Sequence, residues 1–254
     1  MCSISFFTQS QRTENGGHAE ETMNQWGLAA LTALAVALYH NYLSPVYQQD
    51  LFVAPSQLKL TYFAGPGRAE LARLILSAGN VSFEDERLSR EAFAALKPSL
   101  PLGQVPVLQV DGTTYPQSMA IARYAAKLTG LYPQDPMECL RVDVVSESLI
   151  DVKTQISDIT YREKDETLKA EKTKRLVEEF MPKTFSLLES FVKGQFFLGD
   201  NKMSYADIQL FDLVKNGLGK FATFSLTPYP KLVALVGNVE SNANVAAYLA
   251  KQSS

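Results

Sequence analysis

The chain has 254 residues, with 24 Lys and Arg against 27 Asp and Glu and a net charge of −3. That balance lacks the clustered positive charge of a nucleic-acid binder, and 46% apolar residues suffice for a sizeable globular core. The histidines are His18 and His40 and the cysteines Cys2 and Cys139, so after residue 40 the sequence excludes His-based nucleophilic catalysis, a His-ligated metal site and a disulfide framework.

Residues 1–57 read as an amino-terminal extension. Trp26 to Leu38 (WGLAALTALAVAL) carries no charge. As a helix it spans about 20 Å at 1.5 Å per residue, short of a hydrocarbon layer of roughly 30 Å. Extension to Leu43 brings it to about 27 Å but takes in His40 and Asn41. Three readings of 26–43 stay open: a single membrane anchor, a cleaved targeting segment, and a helix lying on a surface or a partner. The anchor reading implies a cytoplasmic catalytic part tethered to a membrane. Ser44 to Gln57, with Pro45 and Pro55, reads as a linker.

From Leu58 the patterning becomes regular. Leu58–Phe63 (LKLTYF) alternates as a strand. After Gly65-Pro66-Gly67, Leu71, Leu74, Ile75 and Ala78 recur at helical spacing, and Gly79-Asn80 ends that helix. Val81–Leu88 and Val105–Val110 are expected strands. Asp111-Gly112 predicts a hairpin into Thr113–Tyr115. Ser118 is an expected N-cap of a helix burying Ile121, Ala122, Ala125 and Leu128. Tyr132-Pro133 to Asp135-Pro136 reads as a linker.

Beyond Met137 strand signals fade. Glu138–Ile159 and Leu168–Val192 are expected to be long helices, the second bent near Pro182. The charged run Arg162–Arg175 reads as a solvated face and turn. Met203 to Ile208 is a helix start, with Ser204 and Asp207 spaced for a capping box. The expected organisation is an α/β domain over 58–135 and an all-helical domain over 137–254.

Strand–helix–strand, then hairpin and helix, is a thioredoxin-like layout. Ala64-Gly65-Pro66-Gly67 stands where a redox member needs a cysteine, which excludes disulfide exchange. GPGRAE also lacks the third glycine of a dinucleotide fingerprint, and no Gly-rich Lys-Ser/Thr loop occurs.

Tyr62-Phe63, Gly67-Arg68-Ala69-Glu70, Gly103-Gln104-Val105-Pro106-Val107-Leu108, Asp111-Gly112 and Gln117-Ser118-Met119-Ala120-Ile121-Ala122-Arg123-Tyr124 together resemble a cytosolic-type glutathione transferase, nearest the sigma class that includes glutathione-dependent prostaglandin D synthases. The resemblance covers about residues 57–252. It implies a thioredoxin-like domain joined to an all-α domain, glutathione as co-substrate with no metal, a small hydrophobic electrophile, a homodimer and a detoxifying transferase activity.

The resemblance also implies site residues. Tyr62, otherwise an edge-of-core aromatic, becomes the donor to the glutathione sulfur. Arg68, expected in the first helical turn and otherwise a partner of Glu70 or Asp85, supports that tyrosine. Val105-Pro106 is implied to be cis, with the Val105 backbone pairing with the cysteinyl unit of glutathione. Gln117 and Ser118 are implied to hold the γ-glutamyl carboxylate, and Lys97 the glycyl carboxylate. Phe93 replaces a frequent Trp and Gln104 a frequent Lys, which weakens the glycyl end. Asp151, otherwise on a solvated face, is implied to reach the partner subunit's γ-glutamyl amine. Tyr161, Phe221 and Phe224 are candidates for the second-substrate pocket, with helix core as their plainer role. Two rivals remain: a glutathione-dependent lipid peroxide isomerase, and a non-catalytic member resembling lens crystallins.

Overall fold

The computed structural model describes residues 54–221 and 223–252. Segment 26–43, with its anchor, targeting and surface-helix readings, lies outside the described residues. Among the described residues no helix is long and apolar enough to cross a membrane.

Strand β1 (Leu58–Phe63) lies inside a four-stranded sheet of order β2-β1-β3-β4. It runs parallel to β2 (Glu84–Leu88) and antiparallel to β3 (Val107–Val110), which pairs antiparallel with β4 (Thr113–Pro116). Alternation along β1 buries Leu58 and Leu60 under helix α1 (Glu70–Ala78), the crossover to β2. Strand β2 starts three residues later than the pattern suggests, because the Val81 N–H is used to close the end of α1 on the Leu76 carbonyl. Strand β3 likewise starts at Val107, after a cis Val105–Pro106 bond and a proline that has no N–H to give the ladder. Asp111 and Gly112 both take positive φ, as a tight hairpin turn requires.

Between β2 and β3 stands a short helix the sequence pattern did not announce. Helix α2 (Arg90–Leu96) is capped by the Ser89 hydroxyl, which accepts from Ala92 N, and runs into a 3₁₀ turn over Lys97–Ser99. None of its residues is buried, so it lacks the apolar stripe by which such helices are recognised. Helix α3 (Ser118–Leu128) buries Ile121, Ala122, Ala125 and Ala126 and packs on α1.

The chain then becomes helical. Asp135 caps α4 (Pro136–Ser157) by accepting from Met137 and Glu138 N–H groups; α4 continues through a wide turn over Asp158–Arg162. Helix α5 (Glu166–Arg175) has no buried residue, as its charge run suggests. The helix expected over 168–192 is continuous: a wide turn at Leu176–Phe180 carries α5 into α6 (Met181–Phe191) without leaving helical backbone, and Pro182 follows directly after that wide turn. Helix α7 (Tyr205–Asp212) is buried along its whole length. Its start is the expected capping box: Asp207 accepts from Ser204 N (2.7 Å) and Ser204 Oγ (2.6 Å). Helices α8 (Pro230–Glu240) and α9 (Ala243–Gln252) close the chain, and α1 packs against α7 and α9.

Candidate active site

Tyr62 is the penultimate residue of β1, where the strand ends and the turn to α1 begins. Its ring is half-buried, and its hydroxyl oxygen accepts a hydrogen bond from Arg68 N at 3.1 Å. That bond uses an oxygen lone pair and leaves the phenolic proton free to be donated elsewhere. It also polarises the hydroxyl and strengthens it as a donor. Gly67 is what lets the loop come this close. Its φ is +51°, and a Cβ there would stand 2.5 Å from the Tyr62 oxygen.

The turn is held by two arginines that the sequence pattern did not single out. Arg73, fully buried, donates to the carbonyls of Phe63 (3.1 Å) and Gly65 (3.0 Å), and Arg87 donates to the carbonyl between them, Ala64 (3.0 Å). Asp85 holds both guanidiniums, through Oδ1 to Arg73 Nε and Oδ2 to Arg87 Nε. Arg73 also pairs with Glu70, whose other oxygen accepts from the Tyr248 hydroxyl. Burial pushes the Glu70 carboxyl above its usual range and raises Tyr248 as well. Three consecutive carbonyls behind Tyr62 are thus satisfied by one buried cation, Arg73, and one exposed one, Arg87. A sequence signal existed: a charge at Arg73 flanked by apolar residues on both sides in α1.

Arg68 differs from expectation in two ways. Helix α1 begins at Glu70 with Ala69 as its cap residue, so Arg68 precedes the helix instead of lying in its first turn. Glu70 and Asp85 are engaged with Arg73, not with Arg68. The Arg68 side chain is exposed and lines two clefts.

The first cleft, of about 230 Å³, brings Arg68 and Leu71 together with Gln117, Ser118 and Met119, facing Lys153 and Gln209 among others. Ser118 is not the cap expected. It is the first residue of α3; Gln117 occupies the cap position and makes no side-chain cap bond. The N–H groups of the first turn consequently face the cleft region without a capping side chain, which suits an anion. Gln117 holds φ +79°, ψ 102°. Among the described residues the other non-glycine ones at positive φ are Asn80, Asp111 and Asn201, types enriched there; Gln is not, and such strain collects at functional positions.

The second cleft, of about 330 Å³, is lined by Tyr62, Gly67 and Arg68 on one side and by Lys153, Ile156, Ser157, Tyr161, Arg162, Asn216 and Gly217 on the other. Arg68, Lys153 and Ser157 belong to both clefts, so the two are continuous. Of the three aromatic candidates, Tyr161 faces this space. Phe221 is buried, and Phe224 packs against Phe185 and Tyr229 in the helical core. Lys153 was not anticipated. Its ammonium lies 2.8 Å from the buried Asp212 carboxylate and 3.5 Å from the Gly67 carbonyl.

Other expected residues stand apart from both clefts. Phe93 packs edge-on against Phe63 at 5.2 Å between ring centres. Lys97 and Gln104 are exposed, and Gly103, at φ +58°, approaches the Lys97 side chain. The Val105–Pro106 peptide bond is cis. Asp151 is exposed on α4 and faces away from the clefts that its neighbours Ile150 and Lys153 line.

Comparison with known proteins places this arrangement. The family model described as "Glutathione S-transferase, N-terminal domain" matches residues 58–127, and "Glutathione S-transferase, C-terminal domain" matches 150–252. The chain is 37% identical over 199 residues to a glutathione S-transferase of Anopheles gambiae, covering 76% of this chain and 96% of that one. It is 32% identical over 194 residues to the hematopoietic prostaglandin D synthase of Mus musculus, covering 76% and 96%. The solved prostaglandin synthase D of Nilaparvata lugens superposes with a TM-score of 0.70 at 32% identity, covering 77% of this chain and 98% of that one. With a thioredoxin-like mixed sheet, a helical second half and these relatives, the chain belongs to the glutathione S-transferase family of enzymes, on its sigma-class-like side.

Proposed function

We propose that Tyr62 donates its hydroxyl proton in a hydrogen bond to the sulfur of bound glutathione, holding it as thiolate for attack on an apolar electrophile. A free thiol near pKa ~8.5 is only a few per cent ionised at neutral pH. Lowering that pKa by two units requires about 2.7 kcal/mol. One hydrogen bond to a charged acceptor supplies about 1.5–3 kcal/mol. The observation that carries the reading is the Arg68 N–H on the Tyr62 oxygen, which orients and strengthens the phenol while it stays neutral.

In this reading residues 58–135 bind glutathione and 137–254 complete the electrophile pocket. Gln117, Ser118 and the open amino terminus of α3 take the γ-glutamyl carboxylate, with Arg68 beside the sulfur. The Val105 backbone pairs with the cysteinyl unit beside Pro106. Phe93, Lys97, Gly103 and Gln104 form the glycyl end, with Lys97 as its cation. Asp151, turned away from its own clefts, is assigned to the γ-glutamyl amine bound by the other subunit of a homodimer. Kinship with prostaglandin D synthases favours a second use of the same thiolate, isomerisation of a lipid peroxide.

The test is Tyr62→Phe. Conjugation of glutathione to an aryl halide should fall about 10- to 100-fold, and the ultraviolet absorbance of bound thiolate should titrate at higher pH. Unchanged turnover and an unchanged thiolate titration would refute the assignment.

A further inference from the structure

The second cleft has a charge pattern that a purely apolar electrophile does not need. Its lining includes three cations, Arg68, Lys153 and Arg162, and no carboxylate, in a chain whose net charge is −3. The acids near Arg162 in the chain are used elsewhere: Asp158 and Glu163 both pair with Lys172, and Asp165 accepts from the Thr167 and Leu168 N–H groups at the start of α5. Arg68 and Arg162 have no ion-pair partner among the described residues. Lys153 has one, the buried Asp212, and its ammonium still lines the space. Arg68 and Lys153 are shared with the glutathione cleft, whereas Arg162 and Tyr161 line the second and not the first; Arg162 also borders a third cleft, beside Asp158 and Glu179. Ile156 and the Tyr161 ring supply apolar surface beside these charges.

Resting on the glutathione-transfer reading above, we propose that this cleft selects electrophiles that carry a carboxylate on an apolar or aromatic body. Arg162 receives the anion, with Lys153 supporting it from the α4 side of the cleft. The cation–anion attraction acts in a partly solvated groove, so it tunes preference more than it creates binding, and it weakens with added salt.

The experiment compares 4-chloro-3,5-dinitrobenzoate with its methyl ester, using the full-length chain. In each reaction the glutathione thiolate forms a C–S bond at the carbon bearing chlorine. Chloride leaves with the bonding pair, and the thiol proton passes to solvent. Each kcat/KM is divided by the uncatalysed rate with glutathione, which removes the intrinsic reactivity difference. The carboxylate should be preferred about three- to tenfold, the range expected for one or two partly exposed ion pairs. Arg162→Gln should cut that ratio about threefold, and Arg162→Lys should restore most of it. Adding Lys153→Gln together with Asp212→Asn, which leaves no unpaired buried acid, should bring the ratio near one. A ratio near one in the unmodified chain, or a ratio unmoved by Arg162→Gln, overturns the proposal while leaving glutathione transfer standing. Conjugation of neither compound would overturn the transfer reading itself.

Discussion

Gly67 and Tyr62 are fitted to each other: a Cβ on the glycine would come within 2.5 Å of the phenolic oxygen, and the glycine backbone sits at φ +51°. The loop is therefore shaped around the hydroxyl and not merely permissive of it. Gly67→Ala introduces both left-handed strain of about 1–2 kcal/mol and an overlap that has to push the phenol away from Arg68 N. The expected outcome is a melting temperature lower by about 2–8 °C, with conjugation reduced about as far as by Tyr62→Phe. Calorimetry and a steady-state assay check the two parts separately. A variant that loses the stability but keeps full turnover would show that the hydroxyl position does not matter.

Arg73 is a buried cation whose hydrogen bonds divide evenly between backbone carbonyls and carboxylates. Arg73→Met leaves the Phe63 and Gly65 carbonyls without their donor and deprives Asp85 and Glu70 of a shared cation. Breaking such a buried network costs about 3–5 kcal/mol, so poor folding at 37 °C is expected. Asp85→Asn is the gentler probe, because both arginines keep their carbonyls. It should reduce kcat more than it changes KM for glutathione, since what it loosens is the mounting of Tyr62. Urea unfolding and a kcat/KM split measure these effects.

Much of this was legible in the chain. Leu58–Leu60 alternates because one face of β1 turns into the core, although Thr61 is buried as well, and Ser204/Asp207 announced the start of α7 because a capping box is a local device. What the pattern hid was non-local. Helix α2 buries nothing and so has no stripe. The Arg73–Asp85–Arg87 clamp joins residues on α1 and β2 that no local spacing connects. Arg68 was read as a helix residue because its contact is through the backbone, which sequence does not display. Lys153 stands among the polar positions of a long helix, and only the packing of α7 against α4 brings Asp212 to it. The residues expected at the glycyl end show the opposite limit: Lys97 matches the family motif while Phe93 and Gln104 depart from it, and Lys97 and Gln104 remain exposed side chains outside the clefts.

Gln117 separates stability from binding. A glutamine at φ +79° holds a conformation that glycine adopts without penalty. Gln117→Gly should raise stability, by up to about 1 kcal/mol after the added entropy of the unfolded chain is counted. The same change removes the amide group and should raise KM for glutathione several-fold. A thermal melt and a glutathione saturation curve together check this, and the two shifts are expected in opposite senses for fitness.

Asp207 provides a pH test of the helical core. Its carboxylate is buried and accepts from Phe197 N, Ser204 N and Ser204 Oγ, yet burial outweighs these bonds and raises its pKa to about 6. In the unfolded chain an aspartate titrates near ~3.9. Between pH ~4 and ~6 the folded state therefore holds a proton that the unfolded state has lost, and stability from this group falls as pH rises through that window. At about 1.36 kcal/mol per pKa unit the loss is on the order of 3 kcal/mol. Above pH ~7 both states are ionised and the contribution is flat. In Asp207→Asn no proton is exchanged, so the difference in unfolding free energy between the original chain and the variant should shrink from pH 4 to pH 6 and then level. Urea melts at half-unit pH steps measure it, and a difference that grows with pH would mean that the three donors outweigh burial and hold this carboxyl below its unfolded pKa.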